Sequence, residues 1–215
     1  MARQQRATRT RHALIRSAAQ VFAEQGFVAA SLGAISRQAG VSNGALHFHF
    51  ASKEALAEAV EAEAAATVLA ITRAAHARHG DSLQAVVDAT HELMGALARD
   101  VVVRGGFEAA GDVTRRRQSL LWEQWHRWVE DSLCRAERNG ALARGVAWGD
   151  AAHVVIAATA GFEALGSEDG SWRARLSVTR FWELMLPRLA DPDHLDTLVC
   201  AGSPAHPTEL REPAG

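Results

Sequence analysis

The sequence has no tyrosine, two cysteines, three methionines and five prolines, and each shortage excludes something. Cys134 and Cys200 stand far apart and match no metal-ligand spacing, so neither a disulfide framework nor a zinc module is expected, and both thiols read as reduced. Every proline lies at residue 187 or beyond, which leaves the preceding chain free to run in unbroken helices. No apolar run approaches the roughly 18 residues of a membrane span, because charges or histidines interrupt every stretch. The opening, Met1 to Arg16, is basic and passes into an amphipathic pattern without a continuous apolar segment. No secretory signal is therefore expected, and a cytoplasmic location is. Glycine-rich phosphate loops, nucleophile elbows and Cys/His catalytic spacings are also missing, so no enzyme, cofactor or metal is expected.

What remains is a 215-residue chain that is 48% hydrophobic and 22% charged, enough to bury a core. Ala, Leu, Arg and Glu abound and no segment alternates with period two, so the expected fold is all-α. The net charge of -2 hides an asymmetry. Residues 1–53 carry seven Lys and Arg against one acid, Glu24, a balance of +6, whereas the remainder holds sixteen against twenty-four, a balance of -8. A basic head on an acidic body points to a polyanionic partner for the head, because Lys and Arg gain by releasing counterions from phosphates.

Apolar periodicity predicts helices at 11–25, 32–39, 42–48 and from Ser52 to about 77, with Gly26 and Gly40 as stops and Ser31, Ser42 and Ser52 as caps. Further helices are expected at 82–99, 102–111, 115–139, 150–166 and 171–188. The organisation is then a head at 1–53, a helical body at 54–200 and a flexible tail at 201–215 rich in Pro and Gly.

Three short helices with a tight turn at Ala39-Gly40-Val41-Ser42 make a helix-turn-helix, in which Gly40 tolerates a left-handed conformation and Ser42 caps the third helix. That helix is expected to present Ser42, Asn43, Gly44, Leu46 and His47 to a major groove, with Ala45 and Phe48 turned to the core. Asn43 can bond a base edge, bare Gly44 allows close approach, and Leu46 can meet a thymine methyl. His49, Lys53 and the arginine arm of Arg3, Arg6, Arg9 and Arg11 are expected on the phosphates, and Ser31 is a further candidate DNA-binding residue.

The run from Ala18 to Phe27 (AAQVFAEQGF), Ile35 to Val41, and Gly44 to Phe50 followed by Lys53-Glu54 resemble the TetR family of bacterial repressors over about the first 55 residues. Met1 to Gln4 and Phe48-His49-Phe50 look most like the γ-butyrolactone receptors of antibiotic-producing actinomycetes. The resemblance implies a homodimeric repressor, released from an imperfectly palindromic double-stranded operator by a small diffusible lactone or furan. It also implies that the last two long helices form a four-helix dimer bundle, with two recognition helices about 34 Å apart. Those receptors carry Lys and Tyr where this chain has Asn43 and His47, which implies an altered operator preference or a weaker grip.

In the body, Trp122, Trp125 and Trp128 recur every third residue of one helix and bring apolar area together with N–H donors. Trp122 and Trp128 read as packing. Trp125 stands where the resemblance places a pocket tryptophan, and Trp122, Gln124, Phe107, Thr159 and Phe162 are candidate companions around an effector. Two alternatives stay open. The chain could be a receptor-like regulator that answers to an antibiotic, an intermediate or nothing. The spacings Asp88/His91, Glu123/His126 and Asp150/His153 also echo di-iron bundle oxidases, although only one pair has the Glu form.

Overall fold

The computed structural model describes residues 2–80, 83–111 and 119–204, with side chains from Gln4 onward. They form α1 (Ala2–Ala29), α2 (Leu32–Gln38), α3 (Asn43–His49), α4 (Lys53–His79), α5 (Leu83–Arg99) and α6 (Val101–Gly111), followed by α7 (Leu120–Arg138), α8 (Trp148–Glu168), α9 (Arg175–Leu189) and α10 (Pro192–Leu195). Among the described residues there is no strand, only an isolated bridge between Leu142 and Ala190. The expected start of one body helix at 82, and positions 115–118 of another, lie outside the described residues.

The expected caps form. The Ser31, Ser42 and Ser52 hydroxyls accept from the amides of Ala34, Ala45 and Ala55 at 3.1, 3.1 and 3.2 Å, satisfying helix-terminal donors that have no partner within the helix. Gly40 turns with φ of 67°, where a side chain would be strained. The first helix departs from expectation at its start. It begins at Ala2, so the arginine arm is helical, as its Arg, Gln and Ala content favours. Near its end it bends at Gly26, with φ 77° and ψ 158°.

Two hydrophobic clusters divide the molecule. The head cluster gathers Leu14, Ile15, Ala18 and Phe22 of α1, Ile35, Leu46 and Phe50, and also Leu56, Ala57 and Val60 of α4. The body cluster holds the rest of α4 with α5, α7, α8 and α9. Like α4, the helix α6 serves both: Val102 and Ala109 pack in the head, while its Val103, Phe107 and Ala110 pack in the body. Its backbone approaches both sides at two adjacent glycines. A Cβ on Gly105 would lie 2.3 Å from the Ala19 carbonyl oxygen of α1, and one on Gly106 would lie 2.5 Å from the Ala64 Cβ of α4. Larger residues there would force the helices apart.

Residues 201–203, expected to open a flexible tail, are held down. The Ser203 amide donates to Asp88 at 2.8 Å, the Gly202 carbonyl accepts from Arg175 at 3.2 Å, and the Cys200 carbonyl accepts from His91 at 2.9 Å. Gln84 clasps Val199 through both of that residue's backbone groups. Positions 205–215 of the expected tail lie outside the described residues.

Candidate nucleic-acid interface

Asn43, Gly44, His47 and Phe48 are exposed together on α3. The inward face of the same helix is set by Leu46, which has no exposed surface, and by Phe50 just beyond its end. Two expectations are thereby reversed. Leu46 packs in the head core and cannot touch a thymine methyl, whereas Phe48, expected inside, is 80% exposed with its ring edge-on to His49 at 5.2 Å. In a helix of seven residues, apolar positions 45, 46, 48 and 50 fit either of two faces. Leu46 and Phe50, four apart and both in contact with the head core, decide the matter. An exposed aromatic ring on a groove-facing surface is the apolar group that base methyls would meet.

Asn43 does not swing freely. Its Oδ1 lies 2.6 Å from the hydroxyl of Ser36, a buried residue of α2 that sequence reasoning passed over. Arg6 and Arg9 are exposed on the N-terminal stretch of α1, available to phosphates. Arg11 is exposed as well, but its guanidinium lies over the Phe50 ring at 5.2 Å, which ties it to the end of α3. Arg3 belongs to α1 by its backbone, and its side chain lies outside those described.

Lys53, the chain's only lysine, was expected on a phosphate and has a different task. Its ammonium donates to the carbonyls of Phe27, Val28 and Ala30 at 2.9, 3.1 and 3.0 Å and stands 4.6 Å from the Phe27 ring centre. An ammonium has three protons, so no donor is left for a phosphate. The charge instead satisfies the carbonyl end of α1 and locks it to the start of α4.

The expected effector residues meet in separate pairs. The Trp125 ring is fully buried, its N–H donates to Thr159 at 3.0 Å, and it stacks on Trp128 at 5.6 Å. Phe107 meets Trp122 edge-on at 5.0 Å, and Phe162 meets Phe181 at 5.8 Å. Gln124, by contrast, lines a groove of about 620 Å³ between α4 and α7, walled by Ala62, Ala65, Ala66, Leu69 and Leu120 and edged by Glu58 and Glu61. Phe107 lines a different cleft of about 430 Å³, between the Gln25–Ala29 end of α1, α6 and α8. Both volumes suit a small ligand. Leu120, 69% exposed, is a groove residue that the tryptophan pattern obscured.

The carboxylate-histidine pairs have other partners. Asp88 accepts from Gln84 and Ser203 and meets His79 at 2.8 Å. Burial alone would raise its pKa, but these hydrogen bonds together hold it below the ordinary carboxylate value. Glu123 pairs with Arg127, and His153 bonds the Gly149 carbonyl. Among the described residues no three His, Cys, Asp or Glu side chains converge on a point that a metal could occupy. Nor is any helix there long and apolar enough to cross a membrane.

A final surface belongs to α8 and α9. Val154 and Leu165 on α8, and Leu176 and Leu184 on α9, are exposed, and a Cβ added at Gly161 between the first two would meet nothing within 4 Å. An exposed apolar stripe with such a notch suits close approach by another helix pair.

Known proteins share this arrangement. Residues 14–60 match the family described as bacterial regulatory proteins, tetR family. The A-factor receptor protein of Streptomyces griseus is 31% identical over 194 residues, covering 89% of this chain and 68% of that protein. A crystallised γ-butyrolactone receptor, an ArpA-like protein, superposes with a TM-score of 0.79 at 24% identity, over 91% of this chain and 96% of the other. CprB from Streptomyces coelicolor, in complex with its biological operator sequence, superposes with a TM-score of 0.76 at 24% identity, over 89% and 94%.

Proposed function

Because the chain belongs to the tetR family of bacterial regulatory proteins, we propose that it is a homodimeric transcriptional repressor, released from a palindromic operator by a small lactone-like or furan-like molecule and governing secondary metabolism. The observation that carries this reading is the outward face of α3, where Asn43, Gly44, His47 and Phe48 stand clear of the head core on a turn capped by Ser42. A twin chain docks on the apolar stripe of α8 and α9 and presents the second α3 to the next major groove.

The effector binds in the groove between α4 and α7, whose α7 residues Leu120 and Gln124 also line a neighbouring cleft with Trp128. Support for this placement comes from α4 itself: Ala62, Ala65, Ala66 and Leu69 face the groove, while Leu56, Ala57 and Val60 of the same helix pack in the head. A molecule wedged between α4 and α7 therefore acts directly on the helix that carries the DNA-reading unit. To switch a promoter it must favour the DNA-incompetent arrangement by about 3 kcal/mol, a loss of more than about 100-fold in operator affinity.

The test is to select bound duplexes from a random pool and then add lactones, furans and antibiotics. The reading expects an imperfect palindrome bound by two chains and released by a lactone or furan. Release by an antibiotic alone would make the chain a receptor-like regulator, and failure to select any duplex would contradict the repressor.

A further inference from the structure

We infer that Ser36 determines which base Asn43 reads: it turns the Asn43 carboxamide so that only the amide donors face the groove, selecting guanine over adenine. The inference rests on the reading of the chain as a DNA-binding repressor.

The Ser36 hydroxyl has two acceptors within reach, Asn43 Oδ1 at 2.6 Å and the Gly33 carbonyl at 3.1 Å. A hydroxyl carries one proton, so only one of them receives it. The shorter separation is that of a strong O–H···O bond, and 3.1 Å is long for one. An amide nitrogen in place of Oδ1 would stand off at about 2.9 Å. The proton therefore goes to Asn43, and its oxygen is the atom turned toward α2. Ser36 is buried and holds the turn by its backbone as well, accepting from the Val41 amide at 3.0 Å, so the anchor is rigid. Asn43 is exposed, so with Oδ1 on the anchor Nδ2 is the carboxamide atom it can offer to a groove.

A free asparagine pairs with adenine, accepting from N6 and donating to N7. With Oδ1 turned inward that arrangement is lost: the amide can still donate to adenine N7, but its other proton faces the N6 protons, donor against donor. Guanine offers two acceptors, O6 and N7, that one nitrogen can bridge. Thymine offers one acceptor and cytosine a donor, so guanine is the preferred base.

The experiment sequences duplexes selected by the full chain and by four variants. Asn43→Ala identifies the base pair that Asn43 reads, as the position whose preference disappears. The wild type should select guanine there. Ser36→Ala frees the carboxamide and should raise the adenine-to-guanine ratio at that position about tenfold. Ser36→Thr restores the hydroxyl and should restore guanine, which a merely structural role of Ser36 would not require. Asn43→Asp, on an exposed residue, keeps an acceptor for Ser36, presents acceptors only and should replace guanine by cytosine. Adenine in the wild type, an unchanged preference in Ser36→Ala, or no altered position in Asn43→Ala would overturn the inference and leave the repressor standing. Should Ser36→Ala fail to fold, guanine retained by Asn43→Asp would overturn it. A wild type that selects no duplex overturns the repressor and this inference together.

Discussion

In the head, the residues available to a partner stand outside: Asn43, Gly44, His47 and Phe48 are exposed on α3 while Leu46 and Phe50 anchor the helix from beneath. In the body, the residues singled out for a partner stand inside, all but Gln124. Trp125 is buried with its N–H on Thr159, and the open groove is walled instead by small residues of α4 and by Leu120 and Gln124 of α7. A surface that reads DNA is built from one short helix and its caps, so a local motif describes it. A cavity is the space left between helices distant in sequence, and side-chain character alone does not locate it. The two regions meet along α4 and at α6, which gives each of them one face.

The largest effect should come from breaking that junction. Gly105→Ala places a methyl against the Ala19 backbone and should cost about 3 kcal/mol in denaturant unfolding. The comparable change Gly149→Ala, in open space at the start of α8, should not destabilise the chain. Equal effects would deny α6 its place between head and body.

Next comes Lys53→Met. Loss of three charge-assisted hydrogen bonds to α1 should destabilise the chain by about 2 kcal/mol, read as a fall of roughly 4–8 °C in melting temperature. The salt slope of DNA binding should not change, whereas Arg6→Ala should reduce that slope by about 0.9 while barely moving the melt. A slope lowered by Lys53→Met would put its ammonium back on a phosphate.

The smallest effect concerns pH. Burial pulls the His91 pKa below its ordinary value, against the Cys200 carbonyl that accepts from Nε2. Arg175 adds to the lowering, and Asp88 and Glu92 oppose it. Protonation would also place a proton on Nδ1, which is buried with no partner among the described residues. The unfolded chain thus takes up this proton more readily, so stability is full above about pH 6.5 and declines as pH falls below it. Asp88, held low in the folded chain, adds a second decline below about pH 4. Melts at pH 7.5 and 5.5 should differ less in His91→Gln than in the wild type, and an equal difference would remove His91 as the cause.

Much of the head was legible in the sequence because its signals are local. Ser31, Ser42 and Ser52 cap where their positions say they should, and Gly40 turns where the helix-turn-helix needs it. The Leu46 and Phe48 reversal was not legible, since seven residues cannot define a helical stripe on their own. Lys53 misled because basic charge beside a DNA-binding motif reads as a phosphate contact. Only the folded chain brings the carbonyl end of α1 under it, 23 to 26 residues away. The docking of residues 199–203 was hidden for a similar reason. Gly, Ser and Pro look like a tail, yet Gln84, Asp88 and His91 hold that backbone across more than a hundred residues.

The most direct measurement is the ratio of operator to random-duplex affinity for the wild type and for Asn43→Ala/Phe48→Ala, at fixed salt and with matched melts. A wild-type ratio of about 10³ or more that collapses toward unity in the double variant is the expected result. A ratio that survives in the double variant would mean that the bases are read from somewhere other than the outward face of α3.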